Sequence, residues 1–315
     1  MSLKYIKEPK LMVVSRRNPL LLGIAVVLIG AISSCALLNS NSQKENLADN
    51  DKEIVLGLIP AESNEEVVAQ FEPMRAYMEK KIGRPITMFT ATDYAGIVEA
   101  MRRGRVDIAW FGALSYIMAE QEAGAEAFAV GVPESGDSTY NGIMMVPADS
   151  DIQSIKDLEG KNVAFVDPAS TSGGLVPSFM VKQTFNRDPQ EVFGRLTYAG
   201  SHDAAMLAVR NKSVDAAASH TVIYQTMIDR GLITEQTNRI IAKSAPIPGP
   251  PLTYRRDLDD KLKTQIRETI LNAHNDIDVT GFGKLARYEV ATPDDYNPIR
   301  EMIKTLGLKR EEILK

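Results

Sequence analysis

Short β-branched and aromatic runs alternate along most of this chain with stretches whose apolar residues recur at helical spacing. Glu53-Ile54-Val55-Leu56-Gly57-Leu58-Ile59-Pro60 reads as a strand stopped by proline, and residues 65–82 read as a helix closed by Gly83. Residues 86–90 form a second strand. Asp93 is placed to cap a helix over 94–103, because its carboxylate can accept a first-turn amide. Residues 106–111 supply a third strand, and the pattern continues at 127–132, 142–146, 162–166 and 195–198. A helix is expected from Leu175 to Lys182. The tail is helical over 258–275 and 298–306 and is expected to pack back on the first half of the fold. Strands alternating with helices predict an α/β protein built on parallel strands.

An internal echo divides the chain. At an offset of 108 residues, Ala100, Arg102, Val106, Asp107 and Ala109 meet Ala208, Arg210, Val214, Asp215 and Ala217, and Tyr116 meets Tyr224. Each half then has a helix, a tight turn and a short buried strand in the same order. Two α/β lobes facing each other would place a ligand between the carboxyl ends of their strands. The expected lobes are 53–141 with 247–315, and 142–246. Two extended segments join them, one at 140–146 and one at 244–251. The second has four prolines in six residues, a composition that argues against helix or central strand.

The first 34 residues have a different character. Lys10, Arg16 and Arg17 precede an uncharged apolar run over 20–32, short for a membrane span and suited to a signal peptide. Ile32-Ser33-Ser34-Cys35 resembles a bacterial lipobox, in which cleavage leaves the cysteine to be lipidated. Cys35 is the only cysteine, so it has no partner for an internal disulfide. Ser15-Arg16-Arg17 also has a weak twin-arginine character, although a generic basic lead explains it as well. Residues 35–52 read as a polar tether. Formal net charge is −5, with no basic tract after Cys35, which argues against nucleic acid as a partner. Anion binding by such a protein must come from locally aimed donors.

The segment Asp167-Pro168-Ala169-Ser170-Thr171-Ser172-Gly173-Gly174 supplies such donors. It follows a strand and leads into a helix, whose first turn leaves backbone N–H groups unpaired at the positive end of the dipole. Three hydroxyls add donors and two glycines allow close approach. An ordinary serine cap with a glycine turn is the competing reading.

Five stretches together resemble one known family: residues 89–96, 106–112, 167–173, Ala199-Gly200-Ser201-His202, and Pro246-Ile247-Pro248-Gly249-Pro250. They are similar to the phosphonate/phosphite-binding proteins of ABC transporters. That resemblance implies the type II periplasmic-binding-protein fold, a clamshell in which each lobe is a mixed sheet flanked by helices. It implies that Tyr94 and Tyr140 donate phenolic hydrogen bonds to a phosphorus oxyanion. Ser170, Thr171 and Ser172 would add hydroxyls and amides, and His202 would follow from the next loop. Trp110, Phe111, His220 and Pro250 are candidates for setting selectivity. The implied protein is a monomer, lipid-anchored at the periplasmic face of the bacterial inner membrane, that serves an ABC permease without cofactor or metal.

Two departures narrow the ligand. Members that take aminoalkyl phosphonates carry acidic residues at the far end of the pocket. Here Ala216-Ala217-Ala218-Ser219-His220 and Pro248-Gly249-Pro250-Pro251 offer no carboxylate. An ammonium buried without a partner would cost several kcal/mol, so phosphite or methylphosphonate is the expected ligand. Phosphate would bring a P–OH donor, which needs an acceptor in place of P–H or P–CH3. A tethered sensor of the same fold would read out the same closure. A structural lipoprotein gives no reason for the Ser-Thr-Ser helix start. A hydrolase using Ser172 and His202, with Asp203 or Asp215, is a weaker alternative. There is no Gly-x-Ser-x-Gly elbow or phosphate-binding Gly-x-x-x-x-Gly-Lys loop, and the three histidines are too scattered for zinc.

Overall fold

The computed structural model describes residues 52–308, so the signal segment, Cys35 and the tether up to Asp51 lie outside the described residues. The first strand, β1 (Ile54–Leu58), leads to helix α1 (Asn64–Ile82), capped by the Ser63 hydroxyl at one end and by Gly83 at φ 75° at the other. Strand β2 (Ile86–Thr90), helix α2 (Tyr94–Arg102), strand β3 (Ile108–Trp110) and helix α3 (Ala113–Ala123) follow. Strand β4 (Ala125–Val132) ends the first run. The chain then enters a second sheet with β5 (Thr139–Pro147) and β6 (Asn162–Phe165).

A helix next begins with one wide π turn over Thr171–Leu175 and continues as α4 (Val176–Phe185). It therefore starts four residues before the expected Leu175. The wide turn follows from the backbone of this segment: Leu175 N–H donates to Ser170 O at 3.0 Å, five residues back. Gly174 is needed there, because a Cβ at that position would sit 2.4 Å from Asp167 O. After α5 (Pro189–Val192) come β7 (Arg195–Tyr198), α6 (His202–Arg210), β8 (Ala216–His220) and α7 (Thr221–Asp229). Strand β9 (Asn238–Pro248) closes the second sheet and β10 (Pro251–Arg255) returns to the first. Helix α8 (Asp260–Leu271), a small hairpin of β11 (Thr280–Gly281) and β12 (Gly283–Lys284), β13 (Arg287–Val290) and helix α9 (Asn297–Leu306) complete the described chain.

The sheets run β13-β4-β10-β3-β1-β2 and β7-β6-β8-β5-β9. Both are mixed, not parallel throughout. Strands β2, β1 and β3 are parallel, whereas β10 runs antiparallel to β3 and β4; β7, β6 and β8 are parallel, whereas β5 runs antiparallel to β8 and β9. The chain changes sheets between Val132 and Thr139 and again between Pro248 and Pro251. The proline-rich segment is extended, as expected, and only Pro251, in the central strand β10, goes against expectation. Pro246 and Pro248 sit in β9, an edge strand, and Pro251 is the first residue of the central β10, the positions where a missing N–H is tolerated.

The second sheet is covered on both faces, and its side chains alternate accordingly. Ile143, Met145, Ala164 and Ala217 join the main core, while Met144, Val146, Val163, Phe165, Ala216 and Ala218 form a smaller cluster opposite. Helix α8 packs on α1, β4 and β13, as expected for the first half. Helix α9 does not stay there: it lies against both α3 and α4, with Arg300 paired to Glu120 on α3 at 2.5 Å. Its exposed basic and acidic residues gave no sign of that bridging position.

The echo in the sequence is a structural repeat. The same offset of 108 carries α2 onto α6, β2 onto β7 and β3 onto β8. Asp107 and Asp215 do the same job in each half. Their carboxylates accept the amides of Val55 (3.0 Å) and Asn162 (2.8 Å) at the beginnings of β1 and β6. Asp107 is buried and also pairs with Arg255 at 3.3 Å. Asp107→Ala should therefore cost about 2–3 kcal/mol, and the more exposed Asp215→Ala about 1 kcal/mol. Urea unfolding of the two variants checks this, and equal costs would contradict it.

Candidate functional site

Five helices begin at one small cavity, and each brings a side chain from its first turn or its cap. Tyr94 opens α2, and Gly112 precedes α3. Ser170, Thr171 and Ser172 begin the turn into α4, His202 opens α6, and His220 precedes α7. The remaining walls are Ile59, Ala61, Trp110, Tyr140, Pro250 and Phe282. No lining residue is a lysine, arginine, aspartate or glutamate. Each helix start presents amides without intrahelical acceptors and roughly half a positive charge. The lining thus favours an anion without containing a cation. The space open to the centre of a water-sized sphere is about 20 Å3, enough for one compact group and too little for a chain.

The repeat explains the convergence. The offset that relates the halves carries Tyr94 onto His202 and Gly112 onto His220, so equivalent helix starts approach the cavity from opposite sheets. Three hydrogen bonds then cross between the halves. His202 N–H donates to Ala61 O at 2.8 Å, Tyr94 N–H donates to a carboxylate oxygen of Asp167 at 3.3 Å, and Leu114 N–H donates to Thr171 Oγ1 at 2.9 Å. Two of these are reciprocal: each half sends a helix start to the loop after the other half's first parallel strand. At the rim, Arg230 pairs with Glu66 across the same divide.

Individual side chains are committed to different degrees. Ser170 Oγ accepts Gly173 N–H at 3.1 Å, so it is a helix cap as well as a cavity residue. The Tyr94 hydroxyl is fully buried and lacks a hydrogen-bond partner. Burial, with the Asp167 charge adding to it, pushes this phenol well above its ordinary value, and Ser170 offsets the rise in part. Burial likewise raises Tyr140 to about 12, against the neighbouring Ser172 and Thr171 hydroxyls. Both phenols stay protonated donors. The two imidazoles meet edge to face at 4.3 Å between centroids, and burial keeps both neutral. His220 Nδ1 accepts Ile223 N–H at 3.3 Å, which leaves the proton of the neutral ring on Nε2 as a donor. His202 Nδ1 is 2.8 Å from Ser219 Oγ. Its ring is thus oriented by a hydroxyl and not by a carboxylate, unlike the base of a hydrolytic triad.

Nine residues singled out from the sequence line this cavity, Tyr94, Trp110, Tyr140, Ser170, Thr171, Ser172, His202, His220 and Pro250, whereas Phe111 does not: it is fully buried in the core beside them. Phe282 was missed. It stands in a hairpin of two-residue strands with no periodicity to read, and only its flanking Gly281 and Gly283 mark a turn. Ile59, Ala61 and Gly112 were missed as wall residues because they contribute backbone and small apolar surface. Among the described residues no cluster of His, Cys, Asp or Glu could hold a metal ion, and no helix is long and apolar enough to cross a membrane.

A family profile described as "ABC transporter, phosphonate, periplasmic substrate-binding protein" matches residues 56–296. The chain is 34% identical over 246 residues to the phosphonates-binding periplasmic protein of Escherichia coli K12, covering 77% of this chain and 72% of the relative. It is also 34% identical over 254 residues to a phosphate-import protein of Mycolicibacterium smegmatis, covering 76% and 78%. Among solved structures, a binding protein component of an ABC phosphonate transporter from Pseudomonas aeruginosa superposes with a TM-score of 0.76 at 30% identity, over 84% of this chain and 92% of that one. A Prochlorococcus marinus protein in complex with methylphosphonate shares the fold, with a TM-score of 0.72 at 19% identity over 81% and 98%.

The buried imidazoles have a consequence for stability. Burial depresses His202 to about 3, against roughly 6.5 in the unfolded chain. The contribution of the neutral ring is complete above pH 6.5 and is lost as pH falls toward the folded value, because the unfolded chain then binds the extra proton. His202 alone should cost the ligand-free protein about 2 kcal/mol at pH 5 relative to pH 7.5. Glu62 and Asp167, both raised by burial, oppose this at lower pH. Melting temperature should fall between pH 7 and 5, with a shallower fall in His202→Gln; an identical slope in the variant would count against this.

Proposed function

The chain belongs to the periplasmic phosphonate-binding proteins of ABC transporters, a family of substrate-binding components and not of enzymes, and on that premise we propose that it captures phosphite or methylphosphonate and delivers it to its permease. One observation carries the reading: five helix starts and neutral hydroxyl, phenol and imidazole donors converge on a cavity of about 20 Å3 without a charged side chain. Convergent dipoles suit an oxyanion. The lack of a carboxylate disfavours an ammonium tail, and the size disfavours any long substituent. Tyr94, Tyr140, Ser170, Thr171, Ser172 and His202 are assigned to the oxygens, and Trp110, His220 and Pro250 to the fourth substituent. Cys35 is assigned as the lipid anchor at the periplasmic face of the inner membrane. Residues 53–141 with 247–315, and 142–246, are taken as the lobes that close on the ligand. A tethered sensor would share this closure, and dependence of phosphite uptake on the chain in cells would separate the two roles.

His220 bears on phosphate. With Nδ1 engaged by Ile223 N–H, its ring offers a donor, not an acceptor, for a P–OH. An unsatisfied P–OH costs about 1–3 kcal/mol, so phosphate should bind about tenfold or more weakly than phosphite. Calorimetric titration with phosphite, methylphosphonate, 2-aminoethylphosphonate, phosphate and sulfate tests the assignment. Tight binding of the aminoalkyl compound would overturn the argument from the missing carboxylate. Phosphate as the tightest ligand would move the chain toward the role named for its Mycolicibacterium relative.

Tyr94→Phe gives a test with opposite signs. Removing a buried hydroxyl that has no partner should leave the ligand-free protein as stable or more stable, by up to about 1 kcal/mol. Affinity for every oxyanion should nevertheless fall by about tenfold. Stability and affinity falling together would mean that the hydroxyl serves the fold.

A further inference from the structure

Phe282 is the cavity wall least embedded in the fold. Trp110 and Tyr140 belong to sheet strands and are nearly fully buried, whereas Phe282 is half-buried at the tip of the β11–β12 hairpin. Its ring stands 4.8 Å from the Tyr140 ring, 4.8 Å from the His220 ring and 6.3 Å from the Trp110 ring, between centroids. It lines the cavity while remaining only partly buried at the edge of the core. The hairpin is anchored on the first half of the molecule. The Thr280 hydroxyl donates to Gln70 O on α1, and the Tyr288 hydroxyl donates to Thr280 O at 3.3 Å. Its tip reaches the second half: a Cβ on Gly283, whose φ is 75°, would lie 2.9 Å from Val222 Cγ1 at the start of α7.

From this arrangement, and resting on the reading that the ligand is a phosphonate or phosphite, we propose that Phe282 is a specificity-determining gate that limits the length of the substituent on phosphorus. The oxygens are drawn to the helix starts at Tyr94, Gly112, Ser170 and His202, whereas His220, at the fifth, packs against Phe282. The fourth substituent is then directed to the aromatic side, where Trp110, Tyr140, His220 and Phe282 meet. Three of these are fixed by strands or by a helix cap. Of the four, Phe282 alone is only partly buried, and it stands on two flanking glycines, so its size sets how far a substituent extends. A hydrogen or a methyl group fits behind the ring, whereas an ethyl or propyl group must displace it and break its three ring contacts.

The test is calorimetric titration of the wild-type chain, Phe282→Ala and Phe282→Leu with methyl-, ethyl- and propylphosphonate. In the wild type, affinity should drop about tenfold or more from methyl to ethyl, the scale set by one methylene against a closed apolar wall. Phe282→Ala should bind methylphosphonate more weakly and reduce the methyl-to-propyl ratio by about tenfold or more. Phe282→Leu, which retains an apolar contact with the hairpin, should lie between. A parallel loss for all three ligands in both variants would show that Phe282 only supports closure and would overturn the gate while leaving the ligand class intact. A wild type that binds the three equally also overturns it. Failure of the wild type to bind any of them, or phosphite, would instead remove the functional reading and the gate with it.

Discussion

Helix starts hold no formal charge, yet five of them around one cavity create a field that must be answered. Each first turn leaves amides that no carbonyl of its own helix can accept, and the dipoles point the same way. Around this cavity some of those amides are satisfied across the divide between the halves. The Tyr94, Leu114 and His202 amides reach Asp167, Thr171 and Ala61. The Tyr94 hydroxyl is buried beside them without a protein partner. The two sheets, their strand order and the turn chemistry all serve to bring these starts to one point. Convergent helix starts of this kind suit the oxyanions that this family binds.

The internal repeat makes this possible at low cost in sequence. One β-helix-β-helix-β unit, used twice at an offset of 108, yields equivalent helix starts that face each other when the halves meet. Divergence between the copies then differentiates the site. Tyr94 in one copy is His202 in the other, and Gly112 in one is His220 in the other. The first-copy residues offer a phenol and close backbone approach, while the second-copy residues offer two neutral imidazoles. The aspartates that brace the copies, Asp107 and Asp215, kept their shared role because a strand's first amide needs an acceptor in either half.

Much of this was legible in the chain. The caps and strand starts of the parallel units follow local rules, so α1, β2 and β7 fall where periodicity and capping place them. Ser170-Thr171-Ser172 were legible from helix-start chemistry, whereas Tyr94, Tyr140 and His202 were picked out by the family resemblance. What escaped notice depends on long-range packing. The π turn at Thr171 arises from Leu175 reaching back to Ser170, and periodicity does not encode it. Pro251 starts a central strand because its position spares the missing donor, a fact of register. Helix α9 bridges α3 and α4 through Arg300 and a few apolar residues, and its surface pattern resembles that of any amphipathic helix. Phe282 belongs to a hairpin too short to have a period.

The absence of a cation from the cavity is the feature with the widest reach. A guanidinium or ammonium in the site would attract any small oxyanion, because a point charge discriminates little between one tetrahedral anion and another. Fixed neutral donors have position and direction, so they reward an anion whose acceptors match and leave a mismatched group unsatisfied. The neutral imidazoles extend that logic: a protonated His202 or His220 would restore the point charge, and burial prevents it. Charged side chains stay outside the lining: Asp167 is buried behind Tyr94, and Glu62, Glu66, Asp203 and Arg230 interact with one another. On the proposed reading, selectivity rests on geometry at the one position where the candidate ligands differ, the position to which His220 and Phe282 are assigned.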